Sequence, residues 1–203
     1  IPHFTGGLVG FMGYESITWV EDIPIYKQDE LQCPDALFML FHELIAFDHL
    51  QNQIILFSNV QIENGMDLEK AYADANLRID DMGEDLHTDI DYQTPAQLEQ
   101  SKLHSNFTQT KFEDAVQKAK EHIKAGDVFQ LVLSQRFRRQ TSVNPLTMYR
   151  ALRSINPSPY MFHLKLNDFD IIGASPELLV KVEDDEIEIR PIAGTRQRGD
   201  NAE

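Results

Sequence analysis

The segment with the densest chemistry is Arg190-Pro191-Ile192-Ala193-Gly194-Thr195-Arg196-Gln197-Arg198-Gly199. It sets three guanidinium groups, two glycines and a hydroxyl within ten residues. Guanidinium forks and exposed backbone N–H groups grip small anions, carboxylates in particular. Such a cluster stands out because the chain carries 33 acidic against 18 basic residues, a formal charge of −15 over 203 residues. Local cations can focus an anionic ligand against an unfavourable net charge. The alternative, a basic loop tip pairing with nearby acids, stays open at this level. A second candidate is Val128 to Phe137. There Phe129, Leu131, Leu133 and Gln135 alternate with Gln130, Val132, Ser134 and Arg136, which is the period of a strand. Its polar face suits either a wet cleft or open solvent.

Other chemistries find little support. The lone Cys33 cannot form an internal disulfide and has no activating neighbours. His42 and His49 lack metal-site spacing, and Asp80-Asp81 and Asp184-Asp185 lie in helix or turn contexts as solvated carboxylates. The glycines of Gly6-Gly7-Leu8-Val9-Gly10-Phe11 have no strand–turn–helix context for a phosphate loop, so they predict close backbone packing instead. The acidity excludes broad nucleic-acid binding and adhesion to anionic membranes. No apolar run reaches the roughly 20 residues of a spanning helix, and the opening lacks the pattern of a signal peptide. The start without Met and the end just beyond the Arg/Gly segment read as a piece of a longer protein, so a site could be split.

The elements that position these groups follow from periodicity. Ala36 to Leu50 and Ile54 to Val60 predict a long hairpin around Gln51-Asn52-Gln53. Leu68, Ala71, Tyr72, Ala75 and Ile79 predict a helix over Asp67–Met82, and Phe112, Val116, Ala119 and Ile123 one over Thr110–Ala125, ended by a left-handed Gly126. Asn144-Pro145 caps a third helix. Short strands over Tyr160–Leu166, Phe169–Ala174, Leu178–Val182 and Glu186–Ile192, with turns at Asn167-Asp168 and Asp184-Asp185, predict an antiparallel meander with helices packed outside it. Residues 1–82 and 107–203 are thus two structured regions, joined by a polar connector over 83–106.

Four motifs in order carry a resemblance: Gly126-Asp127-Val128-Phe129-Gln130-Leu131-Val132-Leu133-Ser134-Gln135-Arg136-Phe137, Asn156-Pro157-Ser158-Pro159-Tyr160-Met161-Phe162, Gly173-Ala174-Ser175-Pro176-Glu177, and Arg190-Pro191-Ile192-Ala193-Gly194-Thr195-Arg196. With the glycine-rich opening and Pro34-Asp35-Ala36, they resemble the anthranilate synthase component I family of chorismate-utilising enzymes. The resemblance implies an α+β fold, an α/β sandwich of two facing, mostly antiparallel sheets flanked by helices. Residues 1–82 would belong to the N-terminal region, and 107–203 would begin the chorismate-binding catalytic domain.

The implied reaction converts chorismate and ammonia to anthranilate and pyruvate, the first committed step toward tryptophan, in the cytoplasm. A glutamine amidotransferase partner supplies the ammonia, and Mg²⁺ is the cofactor. Gly194 and Thr195 match chorismate-contacting positions; Pro159, Tyr160 and Met161 match an allosteric tryptophan pocket. Gln130 and Ala193 match positions that divide subfamilies. Isochorismate synthases carry a water-activating lysine at the first, and aminodeoxychorismate synthases a nucleophilic lysine at the second. Glutamine and alanine supply neither function. The family's metal-binding glutamates, catalytic histidine and N-terminal Leu-Leu-Glu-Ser segment have no counterpart here, so no metal ligand is expected within this chain. Turnover and tryptophan binding by the chain alone are expected to be lost or weak. An aminodeoxychorismate synthase and a non-catalytic metabolite-binding module are the alternatives.

Overall fold

The computed structural model describes residues 2–24, 29–89, 101–192 and 194. The chain divides into two units, Ile1–Tyr92 and Gln93–Glu203.

In the first unit, strand β1 (Gly7–Met12) pairs antiparallel with β2 (Ala36–Phe41), in register from Gly7 opposite Phe41 to Met12 opposite Ala36. A short 3₁₀ helix, Tyr14–Trp19, follows β1. Strand β3 (Glu43–Asp48) pairs with β4 (Gln53–Ser58), and helix α1 (Leu68–Asp85) packs on β4. The opening glycines do what close packing requires. A Cβ on Gly10 would collide with the carbonyl oxygen of Leu37 and press on the Cα of Phe38 at 2.7 Å.

The single long strand expected over Ala36–Leu50 is corrected: it breaks at His42 into β2 and β3, which belong to different ribbons. The cause is a set of hydrogen bonds from Asn59. Its backbone N–H donates to the His42 carbonyl at 2.8 Å, and its side-chain amide donates to the same carbonyl at 3.0 Å and to that of Thr5 at 2.6 Å. The hairpin turn does form. Asp48 Oδ1 accepts the N–H groups of Leu50 and Gln51, both at 2.9 Å, and Asn52 takes φ 54°, a conformation that asparagine tolerates. Helix α1 starts where expected, with Asp67 Oδ1 accepting from the Glu69 and Lys70 N–H groups, but continues to Asp85.

In the second unit, β5 (His104–Ser105) precedes α2 (Gln109–Ala125) and pairs with β6 (Phe137–Arg138). Thr108 caps α2, and Gly126 ends it at φ 85°, the left-handed stop expected of glycine. Helix α3 (Pro145–Ile155) opens with Asn144 Oδ1 accepting the Leu146 N–H at 2.9 Å. It packs on the ribbon of β7 (Tyr160–Lys165) and β8 (Asp170–Ser175). Strands β9 (Lys181–Glu183) and β10 (Glu186–Glu188) form a further ribbon.

Two strand expectations are corrected here. The meander splits into separate ribbons, because Leu178–Val180 enters no ladder. The strand expected over Val128–Phe137 reduces to Phe137–Arg138. Strand geometry needs a partner for its N–H and C=O groups, and among the described residues β5 offers only a two-residue edge.

The described residues therefore combine three α-helices with five two-stranded antiparallel ribbons. Only Ala75 and Leu166 among them are buried apolar residues, while Phe129 at 95% and Leu179 at 85% stand in solvent. The ribbons keep broad apolar faces uncovered. No helix of the described residues is long and apolar enough to cross a membrane.

Candidate functional site

The segment that precedes Gly194 is tied down by a chain of contacts that starts at the end of β8 and ends at Ile192. Ser158 Oγ donates to the Ser175 carbonyl, tying the Pro-rich turn before β7 to the last residue of β8. Ser175 Oγ donates to the Glu177 carbonyl at 3.0 Å, which curls the Ser175-Pro176-Glu177 turn back on itself. From that turn the Glu177 carboxylate accepts the backbone N–H of Ile192 at 2.9 Å, across fifteen residues of sequence. Ile192 lies two residues before Gly194. The turn thus holds the segment from which a backbone grip would project.

Gly194 itself is exposed, and a Cβ built there meets no heavy atom within 4 Å. Its backbone is open to a ligand on that side. Ala193 and Thr195, together with Arg196, Arg198 and Gly199, lie outside the described residues. Of the three cations expected to receive an anion, Arg190 is described, and it is engaged within the chain. Its Nε donates to Glu188 Oε1. That hydrogen bond and the accompanying charge attraction raise its pKa above the ordinary arginine value. Lys181 is raised likewise by its 2.6 Å bond to Glu183. For Arg190, then, pairing with a neighbouring acid prevails over a free receptor role.

The other sequence-predicted residues are distributed as follows. Gln130 sits in the irregular stretch between α2 and β6, exposed to solvent. Pro159 is exposed directly before β7. Tyr160 and Met161 are consecutive in β7 and so project to opposite faces of the ribbon. Tyr160 stands across from Ser175, and Met161 across from Ala174. Met161 shares its face with His163, whose ring stacks on Tyr149 of α3 at 6.1 Å and whose Nε2 lies 2.7 Å from Asp170 Oδ1. The ribbon therefore separates Met161 from Tyr160 and does not gather them on one side.

Sequence reasoning passed over the positioning carboxylate of Glu177. The available signal was the Ser-Pro-Glu run itself, since Ser-Pro initiates turns and a carboxylate just beyond can accept a backbone N–H.

A Mg²⁺ ion held by this chain would need a cluster of carboxylate or imidazole side chains. Among the described residues no group of three or more His, Cys, Asp or Glu side chains could hold a metal ion.

Comparison with known proteins gives a consistent family. The chorismate binding enzyme family matches over residues 2–203. The chain is 42% identical to the probable anthranilate synthase component 1 of Schizosaccharomyces pombe, over 100% of this chain and 42% of that protein. It is 37% identical to the aminodeoxychorismate synthase component 1 of Bacillus subtilis, over 98% of this chain and 41% of that protein. Among solved structures, anthranilate synthase component I from Streptococcus pneumoniae superposes with a TM-score of 0.71 at 31% identity, covering 91% of this chain and 42% of that one. The chain thus spans about 42% of the length of these relatives.

Proposed function

Because the chain belongs to the chorismate binding enzyme family, we propose that it forms part of an anthranilate synthase component I. The whole protein would convert chorismate and ammonia to anthranilate and pyruvate. Ammonia adds to the chorismate ring, forming a C–N bond as the ring hydroxyl departs as water. The aminodeoxyisochorismate so formed then loses its enolpyruvyl group as pyruvate, and the ring becomes aromatic.

In this reading the Gly194 backbone N–H and the Thr195 hydroxyl hold a chorismate carboxylate without adding charge. Glu177 ties the irregular segment that leads to them through the backbone N–H of Ile192. Gln130 and Ala193 leave the cleft without a side-chain amine at the two positions that divide the subfamilies. A glutamine amide cannot take a proton from water, and alanine cannot attack the ring. The identity of these two residues is the observation that carries the choice of ammonia as nucleophile.

The rest of the proposal concerns the whole enzyme. Residues 1–82 fall in its N-terminal region, 83–106 in the connector, and 107–203 in the first part of the catalytic domain. The two facing, mostly antiparallel sheets of the proposed fold find support in the uncovered apolar faces of the ribbons, which need opposing layers. Mg²⁺ would be held by residues outside this chain. A glutamine amidotransferase subunit would deliver ammonia, tryptophan would inhibit at the turn and strand start that carry Pro159, Tyr160 and Met161, and the setting would be the cytoplasm.

The test is product analysis on the full-length protein with chorismate, Mg²⁺ and ammonium. Anthranilate is the expected product. Isochorismate would overturn the reading. The relative from Bacillus subtilis favours one second reading, an aminodeoxychorismate synthase, and accumulation of 4-amino-4-deoxychorismate in the same assay would establish it instead.

A further inference from the structure

The ribbon of β5 and β6 borders an open cavity of about 570 Å³ lined by Ser101, Lys102, His104, Arg138, Arg139 and Gln140. We propose that this cavity is a binding site for a compact polyanion, a small molecule carrying at least two negative charges on phosphate or carboxylate groups.

The lining brings together residues more than thirty positions apart. Antiparallel register sets His104 opposite Arg138. On one flank, Ser101 Oγ donates to the Gln140 carbonyl and accepts from Arg139 Nε at 3.3 Å, so one hydroxyl joins the two chain segments and orients a guanidinium. On the other, the Gln135 amide donates to Ser105 Oγ at 2.8 Å. The Asn106 N–H donates to the Arg136 carbonyl at 3.1 Å, and Asn106 Oδ1 accepts the Arg136 N–H at 2.8 Å. A two-residue ladder is weak alone, and these bonds hold its register.

The charge pattern then points to a ligand. Lys102, Arg138 and Arg139 carry three positive charges around one cavity, with His104 able to add a donor. No carboxylate stands among the described lining residues. The ion pairs among the described residues engage other bases: Arg78, His122, His163, Lys181 and Arg190. In a chain with nearly twice as many acids as bases, three adjacent cations with no acidic partner among the described residues repel one another at a cost that a bound anion would reverse. Arginine forks match the oxygens of phosphate and carboxylate alike. The volume lies within the roughly 300–1,000 Å³ usual for small-molecule sites.

The experiment is calorimetric titration of the intact chain with pyrophosphate, then with citrate, at low and high salt. One saturable site that weakens with salt is expected. The double variant Arg138→Ala/Arg139→Ala should weaken binding at least about tenfold, as expected for loss of charge-assisted bonds. Lys102→Gln, which removes a charge from a side chain making no ribbon bond, should weaken it roughly threefold. Arg78→Ala should bind as the parent does. Tighter binding of pyrophosphate assigns the natural ligand to phosphates, and tighter binding of citrate assigns it to polycarboxylates. Absence of saturable binding, or parental affinity in both lining variants, overturns the proposal. None of these outcomes depends on turnover of chorismate.

Discussion

Two cavities show how the same residue type can either stabilise a structure or await a ligand. In the first unit, His42, Glu43, Asn59, Val60, Gln61 and Arg78 line a space of about 300 Å³. There Arg78 Nε donates to Ser58 Oγ at 3.0 Å and lies 3.1 Å from Glu43 Oε1. The cation is matched by an acid of the same chain, and the hydrogen bonds from Asn59 to His42 close the wall beside it. In the second unit, the cavity beside β5 and β6 holds three cations and no acid among its described lining. Counting basic residues would rank the two sites by degree only. Asking who supplies the opposite charge separates them in kind.

If the first unit is internally closed and the second left open, damage to one should not affect the other's binding. The largest effect is expected from Gly10→Ala. The added methyl would overlap the backbone of Leu37 and Phe38 across the β1–β2 ribbon, and neither strand can yield without losing ladder bonds. A cost of about 1–3 kcal/mol is expected, read as faster amide exchange along Gly7–Met12 and Ala36–Phe41 in the intact chain. Pyrophosphate affinity should stay at the parental value. A simultaneous loss of binding would show that the two regions are coupled.

Within both regions some elements can be read from residues alone and others cannot. Elements governed by neighbours in sequence were legible: the left-handed Gly126 after α2, the Asn144 cap of α3, the hairpin turn around Asn52 and the turn at Asp184-Asp185. Elements governed by distant partners were not. The break at His42 depends on an amide seventeen residues away. The stretch after Gly126 alternates like a strand, yet alternation cannot supply the neighbouring edge that a strand needs. The same applies to the sites. Gly194 is legible through a motif, whereas the bond from the Ile192 N–H to Glu177 emerges only once the chain folds back over fifteen residues. The cationic cavity was missed because Lys102 lies in what reads as a polar connector and Arg138 at the end of an apolar run. Neither position is remarkable until register sets His104 against Arg138.

A middle-sized effect should come from supplying the missing acid. Gln140→Glu places a carboxylate in the lining of the second cavity, close to the segment that carries Arg138 and Arg139. An internal carboxylate competes with the ligand for the same guanidinium groups, so pyrophosphate affinity should fall roughly three- to tenfold. The fold should be unaffected, because the Gln140 bond to Ser101 uses the backbone carbonyl and survives the change. Unchanged affinity would mean that the ligand contacts the arginines from a side that residue 140 does not reach.

The smallest effect runs the other way and is the sharper test of the logic. Glu43→Gln should convert the closed cavity toward the open one. The amide keeps the shape of the carboxylate and can still accept a hydrogen bond, but it no longer neutralises Arg78. Both partners are more than a third exposed, at 38% and 47% of the side chain, so solvent screens the pair and its loss should cost no more than about 1 kcal/mol. The released guanidinium, still oriented by Ser58 Oγ, would then face a cavity about half the volume of its counterpart. Weak pyrophosphate binding in the first unit should appear, visible as chemical-shift changes at Arg78 and Ser58 at about millimolar concentrations. One cation cannot match three, so the new affinity should stay well below that of the second cavity. If Arg78 fails to respond to the anion at all, then removing the internal acid is insufficient to open a site. In that case the clustering of Lys102, Arg138 and Arg139, more than the lack of a carboxylate, is what distinguishes the second cavity.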